Sequence, residues 1–163
     1  MKYILIAEEG ERELINKYFP GCDYPVIVTG VGGINIIRSL RDLPRDSEVV
    51  NIGYAGSANF EIGSLVEVTE IRLNHPNVTY PEPELKLNSL KDSGVAVSDC
   101  ANLIKAVGYS NCDFVLQSDY KDCVFDMELA FIVSFGFKSV ASLKIVSDNL
   151  SLHAYHDLTH GVE

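Results

Sequence analysis

The sequence predicts an α/β domain: a three-layer α/β/α arrangement around a central, twisted, mostly parallel sheet. Three observations predict it. Short apolar runs alternate with helix-like stretches along the chain, the pattern of strands joined by crossover helices. A glycine-rich turn, Gly30 to Gly33, leads from one apolar run into a stretch with Ile34, Ile37 and Leu40 at helical spacing. The 163 residues hold neither an internal repeat nor a linker, which fits one domain spanning residues 1–163.

The elements follow in order. Tyr3 to Ala7 reads as a strand and Gly10 to Tyr18 as a helix. Val26 to Thr29 is a second strand, and Gly30 to Leu43 the turn and helix after it. Glu48 to Ile52 is a third strand that runs into "GYAGSAN". Ser64 to Ile71 is a fourth, with the alternation of a strand that has one exposed face. Leu73 to Asp92 holds three prolines and little periodicity, so it reads as a long surface loop. "GVAVS" (Gly94 to Ser98) reads as a fifth strand and Cys100 to Val107 as a short helix. Cys123 to Phe125 is a sixth strand, Met127 to Phe135 a helix and Ser139 to Val146 a seventh strand. In sheets of this type ligands bind beyond the carboxyl ends of the strands.

Composition narrows the function. The formal net charge is −10, which argues against nucleic acid or an anionic membrane as partner, because both need clustered Lys and Arg. A small anion is still allowed, since backbone N–H groups can cradle it. Apolar runs fall short of the ~20 residues of a membrane span. The apolar run in "MKYILIAEEG" is shorter than a secretion-signal core of about 7–15 residues, so it reads as the first strand. Cys22, Cys100, Cys112 and Cys123 show no CxxC spacing, and reduced thiols in a cytoplasmic protein are expected.

The stretch "DMELAFIVSFGFKSVASLKIVSDN" places carboxylates in the most apolar part of the chain. Asp126 can cap the helix that follows, and Gly136 can end it. Glu128 lies in the first turn of a helix that is apolar on nearly all sides, so a polar group must face it. Asp148 closes a strand, where this sheet type places its chemistry. Each carboxylate also has a plain structural reading, as a satisfied helix-start group or a cap.

Together these segments resemble the nucleoside phosphorylase and nucleosidase superfamily, and above all the methylthioadenosine/S-adenosylhomocysteine nucleosidases. The resemblance is carried in order by "IAEEGERELI", "TGVGGINII", "NIGYAGSAN", "IGSLVEVTEIR", "GVAVSD", "DMELA" and the closing "SDN". It covers most of the chain apart from the proline-rich middle. It implies a phosphorylase/hydrolase-like fold with a mixed, mostly parallel sheet. It implies hydrolysis of the N-glycosidic bond of a purine nucleoside or thionucleoside, with phosphorolysis or nucleoside binding without turnover as alternatives. By position, Asp148 would protonate the leaving base, Glu11 would activate water, Glu128 would bind the ribose hydroxyls and Met127 would pack on the sugar. Glu8 and Glu9 stand close enough to Glu11 to compete for its role. A raised pKa suits the acid, and a carboxylate suits a diol. The resemblance further implies a homodimer, no cofactor and a small-molecule nucleoside partner.

The chain also departs from the pattern. Lys144 stands where the hydrolases have Arg, and Tyr54 where they have Ser. Lys is a point charge where Arg is a fork. The base-stacking aromatic is replaced around Asn102, Leu103 and Ile104, with Phe125 as a substitute. The segment between Arg72 and Gly94 and the closing helix are both shorter than the family's. Gly30 and Gly32 are candidates to cradle phosphate or water, although a tight turn alone would explain them. His153, His156, Asp157 and His160 cluster near the end of the chain, but matching ligands are missing elsewhere, so metal is not expected.

Overall fold

The computed structural model describes residues 1–74 and 85–160. In chain order the elements are β1 (Lys2–Ile6), α1 (Arg12–Tyr18), β2 (Val26–Val28), α2 (Gly33–Leu40), β3 (Glu48–Gly56), β4 (Leu65–Leu73), β5 (Leu85–Lys86), β6 (Ile104–Ser110), β7 (Cys123–Asp126), α3 (Leu129–Ser134), β8 (Ser139–Asp148) and α4 (Leu152–His160). A 3₁₀ turn at Glu9–Glu11 leads into α1, and another at Cys100–Asn102 leads into β6.

The strands form one mixed sheet. β2 pairs with β1, β1 with β3, and β3 with β8, all parallel. β8 then pairs antiparallel with β4, which carries β6 in parallel and the short β5 antiparallel. β6 pairs in parallel with β7, and β7 touches β3 again through Gly56 and Phe125. The pairings from β3 through β8, β4, β6 and β7 therefore return to β3. β8 lies between two partners, and all ten of its residues are buried.

Two core clusters lie against this sheet. One holds Ile36 and Leu40 of α2 with Leu129 and Ile132 of α3. The other holds Leu14, Ile15 and Tyr18 of α1. β1 feeds both: Leu5 enters the first cluster, Ile4 and Ile6 the second. Alternate strand side chains point to opposite faces, so a strand buried on both faces reads as a continuous apolar run.

Several expectations need correction. Gly94 to Ser98 is not a strand; Val95 packs into the second core, and the Ser98 N–H donates to the Tyr18 carbonyl across 2.9 Å. Cys100 to Val107 is not a helix but a 3₁₀ turn running into β6. The stretch from Leu73 to Asp92 is not all loop, since Leu85–Lys86 pairs with β4; residues 75–84 lie outside the described residues. On α2 the buried apolar residues are Ile36 and Leu40, whereas Ile34 and Ile37 are exposed. β3 runs four residues past Ile52, and that extension carries the chain to the site.

Candidate active site

The carboxyl ends of β1, β3, β7 and β8 meet at a cavity of about 200 Å³. Ala7 and Glu8 reach it just past β1, Tyr54 to Gly56 from β3, Phe125 to Glu128 from β7 and beyond, and Ser147 and Asp148 from β8. Gly56 pairs with both Phe125 and Asp148, which ties the two acidic strand ends together. Val31, Phe114 and Tyr155 complete the lining.

Glu11 is buried at the end of the 3₁₀ turn after β1. Its Oε1 accepts hydrogen bonds from the N–H groups of Ala7 (2.8 Å) and Glu8 (3.1 Å), and its Oε2 from that of Tyr54 (3.0 Å). Burial raises its pKa, against the pull of the Lys144 charge and these backbone donors.

Asp126 and Lys144 form a buried ion pair at 3.1 Å. The same Asp126 oxygen accepts from the Leu129 N–H at 2.8 Å, so Asp126 does satisfy the first turn of α3. Its other oxygen accepts from the Ser110 hydroxyl. Burial works against the Lys144 ammonium, yet Asp126, Glu128 and Glu11 more than offset it and the pKa is raised.

Glu128 directly precedes α3, and its Oε2 accepts from the Gly32 N–H at 2.9 Å. Burial, then the Asp126 charge, pushes its pKa up to about 7, while Lys144 and Gly32 pull the other way. Asp148 is held differently. Its Oδ2 accepts from the Ser147 hydroxyl (2.7 Å) and its Oδ1 from the Leu150 N–H (2.8 Å). Burial raises its pKa, and these donors temper the rise. A raised acid, two further carboxylates and an apolar rim can protonate a leaving group, activate water and hold a polyol.

Of the residues singled out in the sequence, Asp148, Glu11, Glu128, Met127, Phe125 and Tyr54 all line this cavity. Lys144 does not; its buried ammonium is paired at 3.1 Å with Asp126, which does line the cavity. Asn102 lies elsewhere, in the turn before β6, where its amide donates to Asp99 at 2.7 Å. At the glycine-rich turn the Gly30 N–H donates to the Ala7 carbonyl at 3.1 Å and the Gly32 N–H to Glu128 at 2.9 Å. Of the terminal cluster, His156 is exposed on α4, and the side chains of His153, Asp157 and His160 lie outside the described residues. Among the described residues no group of His, Cys, Asp or Glu is set to hold a metal ion. Nor is any described helix long and apolar enough to cross a membrane.

The sequence reading missed Phe114, Ser147 and Tyr155 at the cavity. For Tyr155 a signal existed. Ser151, three residues after Asp148, caps a helix by accepting the Ala154 N–H at 3.2 Å, and a helix starting there carries its first turns past the strand end. Phe114 comes from an irregular segment with no comparable signal.

No protein-family model matches the chain, and no curated protein matches it. Solved structures do. The 5′-methylthioadenosine/S-adenosylhomocysteine nucleosidase of Streptococcus pneumoniae, with a transition-state inhibitor, is 15% identical, with a TM-score of 0.72 over 99% of this chain and 93% of that one. A putative nucleosidase of the same kind from Borrelia burgdorferi, bound to adenine, is 17% identical, with a TM-score of 0.71 over 99% and 94%. That of Colwellia psychrerythraea, also with adenine, is 16% identical, with a TM-score of 0.71 over 99% and 88%. Likeness at this identity over nearly the whole chain establishes a common architecture: the protein has the fold of the 5′-methylthioadenosine/S-adenosylhomocysteine nucleosidases.

Proposed function

We propose that the protein hydrolyses the N-glycosidic bond of a purine nucleoside or thionucleoside. One observation carries this reading: Asp148, Glu11 and Glu128 line the same cavity at the carboxyl ends of the strands. Breaking the bond builds negative charge on the base and positive charge on the sugar. Asp148, with its raised pKa, donates its proton to N7 of the leaving purine. Glu11 takes a proton from the water that attacks the sugar carbon, and its three backbone donors hold it in place for this. Glu128 accepts hydrogen bonds from the ribose hydroxyls, and its charge steadies the cationic sugar. Met127 and Phe125 supply apolar contact to sugar and base.

Water is favoured over phosphate as the nucleophile, because the N–H groups of Gly30 and Gly32 are already spent within the protein. A three-layer α/β/α domain made of the whole chain accords with the two helix-bearing cores and with the coverage of the solved structures. Ile34 and Ile37, exposed on α2 beside the cavity residue Val31, support a homodimer. Four free cysteines accord with a reducing, cytoplasmic setting.

The test is an incubation with methylthioadenosine, adenosine and inosine, each with and without phosphate, following free base and sugar product. Base release without phosphate supports hydrolysis. Strict phosphate dependence overturns it in favour of phosphorolysis. Nucleoside binding without any base release identifies a non-catalytic relative.

A further inference from the structure

Two adjoining cavities give the site a direction. Asp148, Phe114 and Phe125 line both the larger cavity, of about 200 Å³, and a smaller one of about 30 Å³. Glu11, Glu128 and Tyr155 line the larger one alone. With Asp148 on the leaving base, the shared wall is the base end, and Glu11 and Glu128 mark the sugar end. The wall there that base release leaves unused holds Glu8, Val31, Tyr54 and Tyr155. The part of a nucleoside still without a partner at that end is its 5′ substituent.

This wall is polar. Glu8 follows β1, opens the 3₁₀ turn that carries Glu11 and is half-buried. Its neighbour Glu9 is exposed and pairs with Arg12, whereas among the described residues no Lys or Arg pairs with Glu8. Tyr155 comes from α4 and meets Phe114 edge-on, with ring centroids 5.4 Å apart. Burial, then the charges of Glu8, Glu11 and Glu128, push the Tyr155 hydroxyl up to about 12, so it keeps its proton at neutral pH. An apolar thioether between Glu8 and Tyr155 would take water from both and return no hydrogen bond. A hydroxyl or an amine would return one, and to a carboxylate that bond is charge-assisted.

We propose that Glu8 and Tyr155 form a 5′ subsite that selects nucleosides whose 5′ carbon bears a hydrogen-bond donor, a hydroxyl or an amine, over those bearing an alkylthio group. The donor gives its hydrogen bond to the Glu8 carboxylate. The Tyr155 hydroxyl, able both to donate and to accept, supplies the second polar contact. Selection follows because a site built to hydrogen-bond a substrate hydroxyl is left with unpaired polar groups by an analogue that lacks it. The inference rests on the nucleosidase reading of the site and narrows its substrate class.

The test is calorimetric binding to Asp148→Asn, which keeps the cavity and slows base release. The ligands are adenosine and inosine, each with its 5′-deoxy, 5′-amino-5′-deoxy and 5′-methylthio analogue. For the base that binds, the hydroxyl and amino compounds should bind about tenfold or more tighter than the deoxy and methylthio compounds. A methylthio or deoxy compound that binds as tightly as the parent nucleoside overturns the proposal. Adding Glu8→Met should weaken the parent nucleoside about tenfold and leave the methylthio compound unchanged or tighter. Tyr155→Phe should act in the same direction with a smaller effect. Equal weakening of both compounds by Glu8→Met is what a merely structural Glu8 would give, and it overturns the proposal. If Glu8→Met does not fold, the ranking of ligands with Glu8 in place decides. Failure of every compound to bind sinks the nucleosidase reading itself, whereas tighter binding of the methylthio compounds sinks the 5′ subsite alone.

Discussion

Asp126 and Asp148 close two strands that both pair with Gly56, yet they meet opposite surroundings. Asp126 faces an ammonium at 3.1 Å, a hydroxyl and the N–H groups that open α3. Asp148 faces a hydroxyl and backbone donors in place of a cation. The first is held by its ion pair and hydrogen bonds and anchors the floor of the cavity. The second is buried with no opposing charge beside it among the described residues, so burial raises its pKa and it can carry a proton to a substrate. The difference teaches that residue type and strand-end position do not set the role; the partner across the fold does.

The largest test of this contrast is Asp148→Asn. The substitution keeps the shape and removes the proton donor, so base release should fall by about 10²–10⁴-fold; near-full turnover in the kinetic assay would place the acid elsewhere. At the other strand end, Lys144→Met leaves Asp126 buried without its cation. Loss of about 3–5 kcal/mol is expected in urea unfolding, and Asp126→Asn added to it should recover part of the loss. Asp148→Asn should leave stability far less affected, and equal losses at the two sites would erase the distinction.

Gly53→Ala is a finer probe. Its Cβ would lie 2.6 Å from Glu11 Oε2 in the middle of a paired strand, so the carboxylate must move. A displacement of this kind should cost about 10–10²-fold in kcat while leaving the Asp126–Lys144 pair intact. The smallest effect is one of pH. The Glu128 pKa is raised from 4.5 to about 7 in the folded protein. Its neutral form therefore favours folding: that stabilisation is complete below about pH 4.5 and is lost as pH rises through about 7. Unfolding midpoints should fall across this window, and Glu128→Gln should flatten the slope. Nucleoside affinity should run the other way, growing with pH as Glu128 becomes the better acceptor.

Much of the sheet could be read along the chain, because β1, β3 and β8 carry buried apolar residues at both odd and even positions. β6 could not. Its inward residues are Ala106, Gly108 and Ser110, so the alternation is there in burial but muted in hydrophobicity. The smallness has a cause in packing: a Cβ on Gly108 would lie 2.8 Å from Ile71 Cδ1. "GVAVS" erred the other way, with the alternation of a strand but no ladder to join. On α2 the spacing of Ile34, Ile37 and Leu40 marked a helix, although of the three only Leu40 is buried.

The site divides along the same line. Glu128 at a helix start and Asp148 at a strand end stood out locally, since a carboxylate bounded by apolar sequence is conspicuous wherever the chain goes. Lys144 is equally conspicuous, but whether it meets substrate or Asp126 depends on a partner 18 positions away. The glycines of "GVGG" invite an anion on local grounds, and the fold gives one of their N–H groups to Glu128 instead. Periodicity, turn chemistry and the capping role of Asp126 are short-range, so neighbours in sequence suffice to reveal them. Strand pairing, the ion pair under the cavity and the raised pKa of Asp148 arise from contacts between distant segments and from exclusion of water, which exist only once the chain has closed on itself.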